Sequence, residues 1–254
     1  MSLITSLIQR LILSLWLGML PSFTVGQHVV PVSNSFKGTW IAGIQTGVAI
    51  PFMDLTESGL IPKKDQKHSN LNMAGGLYLG VELNPNLMIS GGIILARLND
   101  QNLDRNQYFL SSITELNGVA AYNILNLFLP NSSDQRFKVH FLGGAGLCYY
   151  HAGVYNLLTD ETLIERGGSA TFGFTGKIME GVIITGISVR FNITKNMDIF
   201  VTSAQRWMNA DNFESVNGGF AFDNYNISSI GIQLRLKNEK PYPLIFKDFR
   251  RKNE

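Results

Sequence analysis

Between Leu71 and Asn86 the chain reads LNMAGGLYLGVELNPN. Alternate residues from Leu71 are Met73, Gly75, Leu77, Leu79, Val81 and Leu83, and the intervening set is Asn72, Ala74, Gly76, Tyr78, Gly80 and Glu82. One set is apolar from end to end; the other is small or polar and closes on a charge. Period-two alternation of this kind predicts a strand whose two faces meet unlike surroundings. The pattern recurs in TWIAGIQTGVAIPF (39–52), RFKVHFLGGAGLCYY (136–150), GISVRFNI (186–193) and SIGIQLRLK (229–237). Three further segments carry it less regularly: LMISGGIILARL (87–98), LSSITELNGVAAYNI (110–124) and MDIFVTSAQRW (197–207). In the second of these Leu116, Ala120, Tyr122 and Ile124 are assigned outward, and Glu115, Asn117 and Asn123 inward. In the third, Ile199, Val201 and Trp207 oppose Thr202 and Arg206.

Eight strands follow, and their connections alternate in length. Long or polar segments at 54–70, 99–108, 157–181 and 209–224 alternate with the short turns NPN (84–86) and TKN (194–196), and with a connection at 125–135. Short turns at one end and longer loops at the other predict an antiparallel up-and-down barrel. The 125–135 connection is longer than this rule prefers.

Such a barrel can be soluble, with its apolar face inward, or membrane-embedded, with that face turned to lipid. Three features select the second. The strands are long enough for the 9–11 tilted residues a bilayer requires. The polar face is dominated by Gly, Ala, Ser and Asn rather than by the Lys and Glu of a water-facing sheet, and small residues suit the crowded interior of an eight-stranded barrel. Trp40, Phe52, Tyr122, Phe137, Tyr149 and Trp207 stand near strand ends, where headgroup-level aromatic belts form.

Composition sharpens this reading. Charged residues are 16% of the 254, against roughly 25% in soluble domains. A net charge of +2 offers no field for nucleic acid. The first 26 residues carry one cation, Arg10, then the apolar run Leu11–Leu20, Pro21 and small residues, as a secretory signal peptide does. The single cysteine, Cys148, allows no internal disulfide and is expected to point inward as an inert small residue. The expected organisation is therefore a signal peptide at 1–26, a periplasmic segment at 27–37, the barrel at 38–238 and a basic periplasmic tail at 239–254.

The inward charges are Glu82, Glu115, Lys138, Arg190, Arg206, Arg235 and Lys237. Lone buried charges are costly, so they are expected to pair. They are read as a polar plug that holds the barrel closed rather than as a conduit, because eight strands leave little continuous lumen.

With a signal peptide, eight alternating strands and segments such as GGLYLGVEL, FLGGAGLCYY and SIGIQLRLK, residues 38–238 resemble the eight-stranded outer-membrane barrels of Gram-negative bacteria, of the OmpA/OmpX-like type. The resemblance implies an all-β transmembrane fold in the outer membrane and a role in anchoring, adhesion or envelope machinery. One departure is plain: the last strand is followed by EKPYPLIFKDFRRKNE instead of ending on a terminal aromatic residue. In that tail Phe246, Phe249, Arg250 and Arg251 are candidates for contact with a partner, against the alternative of a frayed terminus.

Candidate chemistry is sparse. The four histidines (28, 68, 140, 151) lack metal-ligand spacing. Some small barrels of this type modify lipids with a His and a Ser at the outer rim. His151 falls at the outer end of strand five and faces lipid by parity, but Ala-Gly-Val follows it, so it is read as a headgroup-level histidine. The expectation is a non-enzymatic outer-membrane protein with a structural or interaction role. It uses no cofactor or metal, and its partners are outer-membrane lipid and, through its loops or tail, another envelope protein. The alternatives are an accessory subunit of a secretion or assembly complex, and a lipid-modifying enzyme.

Overall fold

A computed structural model describes residues 38–52, 72–125, 136–168, 170–208 and 223–236. All lie within one compact unit, Phe36–Tyr242. The proposed signal peptide, the periplasmic segment, Lys237 and the basic tail with Phe246, Phe249, Arg250 and Arg251 lie outside the described residues.

The strands are β1 (Thr39–Phe52), β2 (Asn72–Glu82), β3 (Leu87–Asn102), β4 (Gln107–Asn123), β5 (Phe137–Asn156), β6 (Thr162–Arg166), β7 (Ile178–Thr194), β8 (Met197–Met208) and β9 (Asn224–Leu236). Every described pairing is antiparallel. The sheet runs β4-β3-β2-β1-β9-β8-β7-β5-β6, and β4 also pairs with β5. That pairing closes eight strands into a ring, with β6 attached to the far end of β5. Closure leaves the ring no unpaired edge, which a bilayer would penalise heavily.

Parity divides the wall as the alternation predicts. Leu77 and Leu79 are 57% and 61% exposed on the outer surface, whereas Glu115, Asp198 and Gln233 are wholly buried inside. The interior is more apolar than expected, however. Leu98, Phe109, Ile113, Tyr150, Met208 and Tyr225 also fill it. An eight-stranded barrel is a packed core as well as a lumen, so its inward side chains must fill space whatever their polarity. Close packing explains two inward glycines. A Cβ on Gly43 would collide with the Tyr78 ring, and one on Gly231 with the Phe200 ring; these two rings meet edge-on at 5.8 Å.

The outer end departs from the expected loops. Much of the polar stretch 99–108 is strand: β3 and β4 pair out to Asn102↔Gln107 around a turn at 103–106. β5 runs on to Asn156, and the expected loop at 157–181 contains β6 and the first residues of β7. Asp100 and Gln101 are buried there, so their polarity marks paired backbone beyond the bilayer rather than a solvent loop. Together β3 to β6 form a blade rising past the ring. Tyr108 and Tyr155 stack across it at 5.1 Å, and Tyr108 Oη donates to Asp160 Oδ1 at 3.2 Å. Leu103, Leu158, Leu163 and Ile164 are exposed towards its tip.

Candidate functional site: the charged lumen and the outer wall

Two charge networks cross the lumen at different levels. The one near the short-turn end centres on Arg235 of β9. Its Nε donates to Glu82 Oε2 at 3.0 Å, and its terminal nitrogens reach Asp198 Oδ1 at 2.7 Å and Oδ2 at 2.6 Å. One guanidinium thus binds carboxylates from β2 and β8, the planar two-pronged geometry for which arginine is suited. Gln233 Nε2 donates to Asp198 at 3.4 Å, and Tyr78 Oη donates to Gln233 Oε1 at 2.9 Å. Asp198 was absent from the sequence-derived acids. Its parity with Thr202 and Arg206 was the available signal, obscured by the preceding TKN turn.

The second network, towards the outer end, centres on Glu115 of β4. Glu115 accepts from Arg206 Nε at 2.9 Å, Tyr225 Oη at 2.9 Å and Asn117 Nδ2 at 2.6 Å. Arg206 also donates to the Ala204 carbonyl at 2.8 Å and lies 5.9 Å from the Tyr225 ring centre. Cys148 is buried beside this cluster, its sulfur 3.9 Å from Tyr225 Oη.

Not every expected pair forms. Arg190 is buried, and its Nη1 points at the Met88 sulfur at 3.0 Å while its Nε has no partner among the described residues. Lys138 makes no ion pair among them. Between the networks lies a cavity of about 70 Å³, lined by Gln45, Met88, Asn117, Arg190, Arg206 and Ser229 among others. Its lining is mixed, with Leu142, Ile184, Phe200 and Ile227 beside these polar groups, and it has room for a few waters on the polar side.

The six sequence-derived aromatics separate into two girdles. Trp40, Tyr122 and Phe137 stand on the outer surface near the short-turn end, and Phe52, Tyr149 and Trp207 near the other. Trp207 Nε1 donates to Thr185 Oγ1 at 3.1 Å. Two exposed aromatics were not anticipated, Phe172 and Phe174. They lie on a strap, residues 167–177 apart from the undescribed Ser169, that folds against the outside of the wall. Gly173 N donates to Thr114 Oγ1 at 3.0 Å. Phe174 packs edge-on to Tyr149 at 5.0 Å, and Lys177 Nζ donates to Ser112 O at 2.9 Å and to Ser112 Oγ at 2.7 Å.

His151 keeps the outward parity expected of it, but it is only 2% exposed rather than open to lipid. The wall around it is covered by the strap, and β6 places Glu165 Oε1 2.9 Å from its Nε2. Its direct cross-strand partner is Ser112. A serine does therefore stand beside this histidine, contributed by the neighbouring strand. Among the described residues no hydrogen bond joins His151 to the Ser112 hydroxyl, which accepts from Lys177 Nζ instead.

An apolar outer belt, paired backbone all round and a packed, partly charged interior decide the fold. The chain is a transmembrane β-barrel. No protein-family model matches it, and no curated protein matches its sequence. Among solved structures the barrel is similar to Neisserial surface protein A, at 13% identity over 78% of this chain and 97% of that one, with a TM-score of 0.43. It is also similar to Ail, the attachment invasion locus protein of Yersinia pestis, at 11% identity over 78% and 99%, TM-score 0.43. A third is the outer membrane protein OprG from Pseudomonas aeruginosa, at 10% identity over 79% and 98%, TM-score 0.33. Likenesses of this depth say nothing about what the barrel binds or does.

Proposed function

We propose that this is a non-conducting, non-enzymatic barrel of the bacterial outer membrane with a structural or interaction role at the cell surface. The observation that carries the reading is the lumen. Two charge networks occupy it at separate levels, one joining β4 to β8 and β9 and one joining β9 to β2 and β8, with a pocket of about 70 Å³ between them, and this filling supports a closed barrel. A solute passing the Glu115 level would have to part the buried Arg206–Glu115 pair, and breaking such a pair costs several kcal/mol. What remains available for contact is the outside, above all the blade with its exposed apolar tip at Leu103, Leu158, Leu163 and Ile164.

The test combines reconstitution with surface mapping. Full-length protein inserted into planar bilayers is expected to pass no steady current. In intact cells the chain is expected to fractionate with the outer membrane and to be cut by added protease at the blade tip. A steady open-channel current would refute the closed lumen, and recovery in the soluble fraction would refute the membrane assignment.

A further inference from the structure

We infer that the outer wall carries a binding site for the phosphate of an outer-leaflet lipid headgroup, formed by Arg97 and Lys177 around Ser112. The inference rests on the membrane placement proposed above and adds a ligand to it.

On β3 the outward apolar residues Ile89, Ile93 and Leu95 are followed by Arg97. In register, Arg97 lies opposite Ser112 on β4, and Ser112 lies opposite His151 on β5. This polar row stands about 7 Å further along the strands than the row Leu95, Thr114 and Tyr149, which places it just beyond the apolar belt, at headgroup depth. Lys177 reaches the same row from the strap and spends two donors on Ser112. An ammonium has three donors, so one is left for a ligand. The Arg97 guanidinium lies 5.5 Å from the centre of the Phe172 ring. Arg97 is itself exposed, so its N–H donors are open to a ligand.

These cations are not neutralised locally. Among the described residues no carboxylate lies within ion-pair distance of Arg97 or Lys177. The acid bonded to the row, Glu165, is held by His151 from β6, on the far side of β5 from Arg97. A groove of about 310 Å³ opens at the same place, lined by Arg97, Asn99, Leu110, Ser112, His151 and Tyr155 among others. Paired cations at the membrane surface, beside a groove and above an apolar wall, match an anionic headgroup with its acyl chains lying along the belt. Phe172 and Phe174 are exposed on the strap, where aromatic side chains favour the headgroup boundary. Phosphate suits two cations better than carboxylate, because a phosphate monoester carries three acceptor oxygens and up to two negative charges against two oxygens and one charge.

The test uses full-length protein in nanodiscs of dioleoylphosphatidylcholine containing a minor fraction of phosphatidic acid, followed by native mass spectrometry of the released protein. Wild type is expected to retain phosphatidic acid in preference to phosphatidylcholine. Arg97→Gln, which keeps every strap-to-wall hydrogen bond, is expected to weaken retention about tenfold, the loss of one charged hydrogen bond. Lys177→Gln should act in the same direction, and if it fails to fold, Arg97→Gln decides. Oleate in place of phosphatidic acid supplies charge without phosphate and should be retained poorly, and inorganic phosphate should not displace the bound lipid. Equal retention by wild type and Arg97→Gln would overturn the site. Equal retention of oleate would overturn phosphate recognition, and displacement by inorganic phosphate would overturn the lipid as its source. Heat-modifiable gel mobility of the wild type, read separately, reports on the barrel itself, so failure of the membrane reading is distinguishable from failure of the lipid site.

Discussion

Glu115 is the residue whose loss should be felt most. It is wholly buried and accepts three side-chain hydrogen bonds, from Arg206, Tyr225 and Asn117. Truncation to alanine leaves the Arg206 guanidinium inside the barrel with the Ala204 carbonyl as its one hydrogen-bond acceptor among the described residues. Breaking a buried pair from one side costs about 3–5 kcal/mol, most of it the penalty of the stranded charge. Waters from the cavity beside Arg206 can recover part of this, which sets the expectation for Glu115→Ala at the lower end of that range. Removing both partners strands nothing, so the double variant Glu115→Ala/Arg206→Ala should cost less than the sum of the singles, by up to about 3 kcal/mol. The assay is urea unfolding of the barrel in phospholipid vesicles, followed by tryptophan fluorescence and by heat-modifiable mobility. If Glu115→Ala stays within about 0.5 kcal/mol of wild type, or if the two singles simply add, then the lumen is wet enough to solvate a lone guanidinium. The plug would then lose its energetic basis.

Leu77→Arg places a charge on the apolar outer face and is expected to cost about 2–4 kcal/mol if it lies near the bilayer midplane; in the same urea titration a cost below about 0.5 kcal/mol would mean that this face meets water. Gly43→Val puts a branched side chain where the Tyr78 ring lies and should separate Tyr78 from Gln233, with an overpacking cost of about 1–3 kcal/mol. Wild type, Ser112→Ala and His151→Ala should all release no fatty acid from phospholipid vesicles above background. Release by wild type that Ser112→Ala abolishes would overturn the non-enzymatic reading.

The ring was legible because its cause is local. A residue pair at a bilayer wall meets lipid on one side and packed interior on the other, and that contrast is written into every second position. It gave the bounds of β1 directly, 39–52 against Thr39–Phe52, and nearly those of β8, 197–207 against Met197–Met208. Beyond the bilayer the contrast disappears. Asp100 and Gln101 are consecutive, polar and buried, while Phe109 and Ile113 are apolar and inward, so the period-two signal fails although the strands continue. The blade was therefore hidden inside segments whose composition resembles loop.

The functional surfaces show the same division between local and cross-strand information. Parity placed Glu82, Glu115, Arg206 and Arg235 inside, but their pairing depends on registers between strands that are far apart in sequence. Glu82 meets Arg235 because β1 pairs with both β2 and β9. His151 shows the cost of reading along the chain alone. Forward from His151 the chain offers Ala152, Gly153 and Val154, whereas Ser112 comes to it across the β4–β5 ladder. Nothing in the local pattern gives that register, nor the strap that brings Lys177 onto the same hydroxyl. Lys177 also adds a second positive charge to a wall position already bearing Arg97. The contact that reading along the chain conceals is thus the one on which the proposed anion site depends.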